Sequence, residues 1–447
     1  MMPIPTTDDD IRASYRATLA STAAQEALLV DRIRALSLSE EQPREFAERL
    51  AATLVRAVRD VPAYRAVGLS GEDVEAFEDP LSALSRFPLV DKSDLRDRLA
   101  DFCSDDIDPD ECRFGTTSGT TGMPLKVIHS LDFIASEFAA GLRRNRESGL
   151  PGRRRILMPM KTVPLPWTEY ESPAKGYSLI AEFGTGAYED EDPAELLERV
   201  RKFAPDVVYG HPSDCMVLAQ ALGAADVGVS PTLVATFGEY MSATVREYLE
   251  SAFATARVVD FYAMYEFGNI AVQCLHGAYH VEDKVYVEVV DSDGLPVVPG
   301  ISGEIVVTGL NNDVMPLIRY RTGDLGAVSS PECPCGKRSQ VITGLVGRGS
   351  GVVAFEDGAQ VRLSGVTRIL RRYPLLRFQI ARESESGFTV RIQPSPDFED
   401  EMLSGMRDLL ARELADRSVA VRVVGPDEFL PDGRRKTVDY LDLRPAH

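Results

Sequence analysis

A run of threonine, serine and glycine is the part of the sequence whose residue types most clearly suit a chemical task. Residues 116–122 comprise four threonines, one serine and two glycines. This composition suits neither a helix nor a central strand, but its backbone N–H groups and hydroxyls can surround an anion, as phosphate-binding loops do. No Gly-Lys-Ser/Thr follows, so the run is not a Walker A loop. Composition alone would equally allow an exposed polar loop.

Cysteine and histidine form a second candidate site. Cys333 and Cys335 are separated by one residue, and Cys274 and His280 lie earlier in the chain. Three thiolates and one imidazole would complete a closed tetrahedral Zn²⁺ site of the structural type. Free thiols in a reduced protein are the alternative interpretation, and spacing alone does not choose between His276 and His280.

The elements that must position these residues follow from the hydrophobic pattern. Residues from about 10 to 62 have helical spacing, and from about 130 to 270 short apolar strands alternate with helices, which predicts an α/β core with a largely parallel sheet. The predicted strands there are 155–158, 206–209, 232–235 and 257–260, and the predicted helices are 194–203 and 243–253.

The pattern changes towards the C-terminus. Between about 280 and 345 it becomes strands with tight turns. A glycine cluster at 347–351 then precedes a strand, a helix and a strand, which predicts a small α+β domain behind a flexible joint.

Length, composition and charge exclude several classes of protein. With 447 residues, 44% of them hydrophobic and 26% charged, the chain suits one large domain plus a smaller one, and disorder is excluded as its main state. A formal charge of −20 opposes nonspecific binding to nucleic acid or to an anionic membrane surface. No apolar run is long enough for a membrane span, no signal peptide is recognised, and the scattered cysteines favour the reducing cytoplasm.

The order Thr-Ser-Gly-Thr-Thr-Gly-x-Pro at 117–124 resembles the phosphate loop of the adenylate-forming enzymes, which include acyl-CoA synthetases, adenylation domains and luciferases. Three further segments follow in the order of that superfamily. Residues 260–266 are similar to its Tyr-Gly-x-Thr/Ser-Glu element, 319–325 to its Arg-Tyr-Arg-Thr-Gly-Asp segment, and Gly347-Arg348 to its domain junction.

Within the superfamily the chain is most similar to phenylacetate–CoA ligases, whose N-terminal signatures resemble residues 61–65 and 87–96. The resemblance covers nearly the whole chain and implies an α/β fold in two domains. Residues 1–347 would form a large N-terminal adenylate-forming domain with a layered α/β core and a β-rich insert. Residues 348–447 would form a small C-terminal α+β lid domain joined by a hinge. The segment around Cys333 and Cys335 also resembles a knuckle of this group, which supports the zinc hypothesis.

The resemblance implies a site for ATP and Mg²⁺. Tyr262 would stack on adenine, Glu266 would hold Mg²⁺, and Asp324 would bind both ribose hydroxyls. Lys436 takes the place of the catalytic lysine because its spacing to Asp442 and Arg444 matches the subfamily, with Arg434 as the runner-up. The other expected members are the catalytic Arg348 and the ATP-binding Thr117, Ser118, Gly119, Thr120, Thr121, Gly122 and Glu239.

An acyl pocket is implied in the same way. Its expected lining is Tyr209, His211, Phe237, Gly238, Ala263, Met264 and Trp167. His211 stands where the superfamily often has an aromatic ring beside the carboxylate, and a histidine at a capped turn is an equal alternative. Trp167, the single tryptophan, would line the pocket or fill the core. Tyr262 and Tyr265 would otherwise be ordinary core aromatics.

Three departures from the family pattern affect the expected reaction. Ala263 replaces the usual glycine after the adenine-stacking tyrosine, and Tyr265 replaces the usual threonine or serine. The junction has Gly349-Ser350-Gly351 where phenylacetate–CoA ligases have x-Asp-Asp. The ATP half of the pattern is intact, whereas transfer to CoA is expected to be slow or replaced by transfer to another acceptor.

The expected function is ATP-dependent activation of a small aromatic carboxylic acid to acyl-AMP with release of pyrophosphate, followed by transfer to CoA. Transfer to a carrier-protein thiol or to an amine is the alternative. A noncatalytic nucleotide-binding relative is disfavoured because Glu266, Asp324, Arg348 and Lys436 occur together. The expected partners are the acid and its thiol acceptor, with no nucleic acid and no membrane, and a homodimer is left open.

Overall fold

The computed structural model describes residues 23–38, 45–116, 125–147, 150, 152–160, 166–184, 192–346, 352–414, 417–425, 428–429 and 440–442. The strands are β1 Cys112–Thr116, β2 Lys126–Ser130, β3 Arg155–Met160, β4 Thr168–Ser172, β5 Ser178–Gly184, β6 Val207–Gly210, β7 Leu233–Phe237, β8 Arg257–Met264, β9 Gly268–Gln273, β10 Tyr279–Val281, β11 Val285–Val290, β12 Gly303–Gly309, β13 Tyr320–Ser329, β14 Val341–Val346, β15 Val352–Ala354, β16 Gln360–Arg362, β17 Leu375–Arg382, β18 Gly387–Pro394, β19 Ser418–Val423 and β20 Tyr440–Asp442.

The helices of the same ranges are α1 Ala23–Leu38, α2 Phe46–Asp60, α3 Pro62–Arg65, α4 Gly71–Glu75, α5 Pro80–Leu84, α6 Lys92–Asp97, α7 Leu131–Glu147, α8 Pro193–Phe203, α9 Pro212–Ala224, α10 Ala243–Ala252, α11 Leu363–Leu370 and α12 Met402–Glu413. Short 3₁₀ helices span Leu99–Phe102, Pro109–Glu111 and Pro173–Lys175. Within the described part of the chain, no helix is both long enough and apolar enough to cross a membrane.

A twelve-stranded mixed sheet forms the centre of the described fold. Its strand order is β11-β12-β13-β14-β10-β9-β8-β7-β6-β3-β5-β4. Strands β5, β3, β6, β7 and β8 are parallel, and antiparallel strands flank them on both sides. Helices α8, α9 and α10 make the crossovers from β5 to β6, from β6 to β7 and from β7 to β8, as parallel strands require. The predicted α/β class is therefore confirmed, together with the four strands and two helices predicted between 155 and 260.

The crossover helices begin where the sequence provides a cap. The Asp192 side chain accepts a hydrogen bond from the Ala194 N–H at 2.9 Å, and Ser242 Oγ accepts one from the Val245 N–H at 3.1 Å. Each bond satisfies a donor that the first turn leaves unpaired. The apolar faces of these helices pack on the sheet in a core that includes Leu157, Val200, Leu218, Val234 and Leu249.

The N-terminal helices carry a buried tyrosine that contacts the segment leading into β13. Tyr64 on α3 is fully buried, and its Oη accepts a hydrogen bond from the backbone N–H of Ile318 at 3.0 Å. Its ring packs edge-on against Phe87 and Phe102, with centroids 5.8 and 5.9 Å apart. The segment that resembles a family signature therefore supports the approach to β13.

A second contact from the N-terminal region extends this support. The backbone N–H of Val90 donates to the Arg319 carbonyl at 3.0 Å, and the Arg321 N–H donates to the Val90 carbonyl at 2.8 Å. Residue 90 thus adds a short parallel bridge to the start of β13. The second N-terminal signature, at 87–96, holds the Arg-Tyr-Arg segment in place.

A separate two-stranded sheet brackets the threonine-rich run. Strands β1 and β2 pair antiparallel, from Thr116 opposite Lys126 to Cys112 opposite Ser130. The predicted phosphate loop falls in the part of the sequence between these two strands. That loop lies outside the described residues, and its role stays a prediction.

The C-terminal part has a sheet and a core of its own. Strands β19-β18-β17-β20 form a four-stranded mixed sheet. Helices α11 and α12 pack with it around Val366, Leu370, Ile380, Val390 and Leu410. This confirms the predicted α+β character. The predicted boundary between residues 347 and 348 lies outside the described ranges and remains a prediction.

His129 is a buried histidine on β2. Its ring stacks on Phe133, with centroids 4.4 Å apart. Burial lowers its pKa from the usual 6.5 to about 4, although backbone groups of Glu266 and Tyr265 favour the protonated form. The imidazole is therefore neutral at physiological pH.

We expect the protein to lose stability as the pH falls from about 6.5 towards about 4, because the unfolded chain binds a proton at His129 that the folded state disfavours. This group alone should cost roughly 2 to 3 kcal/mol between about pH 7 and about pH 4.5. Urea unfolding of wild type and His129→Gln across this range measures the effect, and the variant should lose less stability. Parallel stability curves would contradict it.

Candidate active site

Two buried carboxylates lie in the site, and each accepts a hydrogen bond from a phenol. Tyr262 on β8 donates from Oη to Asp324 Oδ2 on β13 at 2.8 Å. Tyr320, also on β13, donates to Oε1 of Glu266 at 3.2 Å. All four side chains are at most 8% exposed. The structure therefore brings together Tyr262, Glu266 and Asp324, the three described residues predicted to hold adenine, Mg²⁺ and ribose.

The contact between β8 and β13 constrains the shape of the sheet. Four steps of the strand order separate these strands, so a flat sheet would place them about 19 Å apart. Hydrogen bonding between Tyr262 and Asp324 requires the antiparallel half of the sheet to curl until its strands face each other. Bulges bend strands in this way, and the register shifts at three places. They lie beside Tyr262, between Glu304 and Val306, and after Leu325.

Backbone contacts fix the position of Asp324. Its N–H donates to Thr322 Oγ1 at 3.0 Å, and that hydroxyl donates in turn to the Ile305 carbonyl at 2.8 Å. Gly323 between them has a φ of +76°, a conformation that glycine adopts without strain. The Thr-Gly-Asp part of the segment thus forms a local turn that points the Asp324 carboxylate towards the site.

The arginines of the same segment have structural partners. Arg319 donates from Nη1 to the Phe87 carbonyl at 3.0 Å and from Nε to Glu288 Oε2 at 3.2 Å. Arg321 donates from Nε to Glu304 Oε2 at 3.0 Å. These contacts hold β13 against the N-terminal helices and the neighbouring strands.

Three aromatic rings meet at the carboxyl ends of β6 and β7. Tyr209 and Phe237 stack with centroids 4.6 Å apart, and the His211 ring lies 5.0 Å from Phe237. His211 Nδ1 is 2.8 Å from Asp214 Oδ2, which orients the imidazole from the first turn of α9. Open α/β sheets bind ligands at this edge. The structure thus brings together three residues of the predicted acyl pocket.

Glu239 links β7 to α9. Its Oε2 accepts a hydrogen bond from the Ser213 N–H at 3.2 Å, in the first turn of the helix. The preceding Gly238 has a φ of +77°, so the backbone can turn sharply after β7. A carboxylate is favoured at this end of a helix by the helix dipole. Its predicted ATP contact remains untested.

The remaining predicted pocket residues are divided between two places. Ala263 and Met264 end β8, directly after Tyr262. Trp167 stacks on Phe183 at 5.7 Å and packs edge-on against Phe203 at 5.8 Å. The half-buried Trp167 ring therefore packs against the core under the crossover helices, in agreement with the core-filling alternative, while its place in the acyl pocket stays a prediction.

Lys175 is a candidate site residue that no motif indicated. Its Nζ lies 5.4 Å from the centroid of the Tyr209 ring, within the range of a cation–π interaction. Burial lowers the pKa of this lysine, and the nearby Glu182 carboxylate opposes that effect. Lys175 ends a 3₁₀ turn between β4 and β5, so only the folded sheet brings it to Tyr209.

Several predicted residues lie outside the described ranges. They are Thr117, Ser118, Gly119, Thr120, Thr121, Gly122, Arg348 and Lys436, together with the runner-up Arg434. Their assignments rest on the sequence and stay predictions.

Four side chains of the types that bind metals converge at one end of the curled half of the sheet. Cys274 follows β9, His280 lies on β10, and Cys333 and Cys335 lie between β13 and β14. Their ligand atoms are all within 4.8 Å of one another. Cys274 Sγ is 3.8 Å from Cys333 Sγ, and Cys335 Sγ is 3.2 Å from His280 Nε2.

This donor set fits Zn²⁺. Two thiolates on a tetrahedral zinc ion are about 3.8 Å apart, and Cys274 and Cys333 have that separation. Ser339 Oγ contacts His280 Nδ1 at 3.0 Å, which leaves Nε2 facing the cluster. Burial also lowers the pKa of His280 and favours the neutral imidazole that binds metal. His276 is exposed and contributes only a backbone N–H to Cys274 Sγ.

Known proteins resemble the chain over much of its length. A phenylacetate-coenzyme A ligase of Aromatoleum evansii is 26% identical over 418 residues, 86% of this chain and 87% of that protein. The crystal structure of 2-hydroxyisobutyryl-CoA ligase in the postadenylation state, in complex with R3-HIB-AMP, matches with a TM-score of 0.67 at 20% identity over 89% of each chain. No protein-family model matches. The phenylacetate-coenzyme A ligase of Escherichia coli (strain K12) is 30% identical over 327 residues, 66% of this chain and 69% of that protein.

The chain belongs to the phenylacetate–CoA ligase family of adenylate-forming enzymes. It is therefore an AMP-forming acid–CoA ligase, as the ordered motifs predicted. The α/β fold predicted from the same resemblance is confirmed for this family member.

We expect the purified protein to carry about one zinc ion per chain. Cys333→Ser and His280→Ala should each lose the metal and lower the melting temperature, because a structural zinc contributes directly to folding. His276→Ala is the matched control, since this exposed histidine lies in the same loop but outside the cluster. Elemental analysis and thermal unfolding decide the matter. Metal-free wild type whose melting temperature is insensitive to a chelator would contradict it.

Proposed function

We propose that the chain uses ATP to convert a small aromatic carboxylic acid into acyl-AMP, releasing pyrophosphate, and then transfers the acyl group to the thiol of CoA. The hydrogen bond between Tyr262 and Asp324 is the observation that carries this proposal. It joins the residues assigned to adenine and ribose across two distant strands, close to Glu266. The ligase names of the relatives give independent support.

The charges of the site suit the first step. Attack of a carboxylate on the α-phosphorus brings two anions together, so the enzyme must neutralise charge and align the reactants. Glu266 would hold Mg²⁺, which binds few carboxylates and completes its shell with phosphate and water. The described hydrogen-bond partner of Glu266 is the neutral phenol of Tyr320, which orients the carboxylate and leaves its charge for the cation. When bound, Mg²⁺ would offset charge on the phosphate oxygens.

An aromatic acid is favoured by the rings at the end of β6 and β7. Tyr209, Phe237 and His211 offer faces and edges on which another ring can stack. Asp214 fixes the orientation of His211, which keeps the wall of the pocket in one arrangement. Phenylacetate, named for the relatives, is the first acid to test.

We further propose that the C-terminal part acts as a lid in two poses. It has its own core, so it can move as a unit about the glycine-rich junction at 347–351. Lys436 would reach the α-phosphate in the adenylating pose. The other pose would admit CoA, and without the acidic pair of the family junction that pose lacks its usual polar contacts. The Cys₃His centre is assigned a structural zinc that takes no part in either step.

Glu266→Gln and Asp324→Ala should each lower acid-dependent ATP–pyrophosphate exchange, by roughly 100-fold for the metal carboxylate. Both carboxylates are buried, but they are assigned to ligand and neither belongs to the apolar cores, so far-UV circular dichroism should stay unchanged. Asp293→Asn, in an exposed turn, is the control and should keep full exchange. A panel of aryl acids with an aliphatic hydroxy acid included identifies the substrate. Wild-type exchange in both variants at subsaturating ATP would refute the nucleotide site.

Lys436→Ala should abolish ATP–pyrophosphate exchange, because it removes a positive charge from the adenylation transition state. Thioester formation from preformed acyl-AMP should be largely spared, since that step uses the other pose. Arg434→Ala is the matched control and should leave exchange close to wild type. Equal loss of both half-reactions in Lys436→Ala would contradict the two-pose account. Fast wild-type ligation to CoA would show that the altered junction does not slow the second step.

A further inference from the structure

Gly115 is a glycine that its own backbone does not require. It lies on β1 opposite Val127, in the extended conformation of a strand, and it is not among the residues with positive φ. A Cβ placed on Gly115 would lie 2.7 Å from Cε1 and 2.5 Å from Cζ of Tyr265, and still closer to its Oη. Real Cβ atoms do not approach other atoms so closely. All three atoms belong to the far end of the Tyr265 side chain, so a side chain at position 115 would displace this phenol.

Tyr265 covers one face of the hairpin that carries the predicted phosphate loop. Gly115, Val127 and His129 share that face, because opposite residues and alternate residues of paired strands point to the same side. The Tyr265 ring lies 5.1 Å from the His129 ring, tilted by 47°. The phenol therefore packs at the end of β1, immediately before the loop begins.

The backbone of Tyr265 belongs to the other half of the nucleotide site. Tyr265 directly precedes Glu266, whose carboxylate is held by Tyr320 on β13. One side chain thus spans the gap between the segment assigned to Mg²⁺ and the hairpin assigned to the phosphates. With 46% of its surface exposed, the ring is not an ordinary core aromatic.

We propose that Tyr265 is a positioning residue that locks the phosphate-loop hairpin onto the turn carrying Glu266, and that Gly115 provides the space into which its phenol fits. This inference rests on the proposed nucleotide site. It explains a departure from the family pattern as a pair: a large residue at 265, where threonine or serine is usual, is accommodated by the smallest residue at 115. The phenol then sets the distance between the two segments that hold the triphosphate.

The pair can be tested by a double-mutant cycle with Gly115→Ala, Tyr265→Thr and the combination of both. Affinity for MgATP is measured by calorimetry at a temperature at which every variant is folded, and ATP–pyrophosphate exchange is measured with phenylacetate. Gly115→Ala should weaken MgATP binding and exchange by roughly tenfold or more, because displacing a ligand-holding segment by about 1 Å is that costly. The double variant should recover to within about twofold of Tyr265→Thr alone.

Gly228→Ala is the matched control, since a Cβ there meets no atom within 4 Å and its φ is not positive. It should behave as wild type. Tyr265→Phe keeps the ring and should retain most of the affinity, because the role assigned to the side chain is packing.

Three results would overturn the proposal. The first is wild-type affinity in Gly115→Ala, and the second is single effects that multiply in the double variant. The third is a loss of melting temperature in Tyr265→Thr with unchanged MgATP affinity, which would indicate a merely structural contact. If wild type neither binds MgATP nor exchanges pyrophosphate, the proposed function fails. The melting temperatures of the same variants then still test the packing of Tyr265 against Gly115. This packing requires Tyr265→Thr to relieve the destabilisation caused by Gly115→Ala.

Discussion

Everything in the site depends on bringing β8 and β13 face to face. Strand order alone would keep them far apart, yet the phenol of Tyr262 reaches the carboxylate of Asp324. A buried carboxylate that loses water must find donors, and a phenol supplies one without cancelling the negative charge as an arginine or lysine would. Tyr320 does the same for Glu266. The curl of the antiparallel strands is therefore as much a part of the proposed nucleotide site as the residues that would touch the nucleotide.

The N-terminal helices give this curl its outer support. Tyr64 accepts the Ile318 N–H, Val90 pairs with the backbone on both sides of Tyr320, and Arg319 reaches the Phe87 carbonyl. All three contacts act on the start of β13. Two segments recognised first as family signatures, without any chemistry of their own, thus place the strand that bears Asp324. Their role is structural, since they support the start of β13, and this role explains why they accompany the nucleotide motifs in one chain.

Local patterns predicted the strands and helices of the parallel half of the sheet, and they indicated Tyr262, Glu266 and Asp324, which the structure brings together. Both kinds of pattern depend on short-range information. Alternating strands and helices, the Thr-Gly-Asp turn and the cysteine pair can all be recognised within a few residues. Contacts made by distant segments could not be predicted in this way. Lys175 reaches Tyr209 only through the order of β3, β5 and β6, and the choice of His280 over His276 depends on which face of β10 turns towards Cys335. A role for Gly115 could not be predicted from the sequence, because it depends on the position of Tyr265 in the folded chain.

The single tryptophan gives the protein a built-in optical reporter. Trp167 donates from Nε1 to Glu169 at 2.8 Å, and its half-buried ring packs against Phe183 and Phe203, beside the core of the parallel half of the sheet. Since the chain contains no other indole, its intrinsic fluorescence comes from that one place. Emission from this residue follows the packing of the parallel half, whereas the Cys₃His cluster and the C-terminal sheet carry no indole. Comparing emission with far-UV circular dichroism would therefore separate melting of the parallel half from melting of the rest.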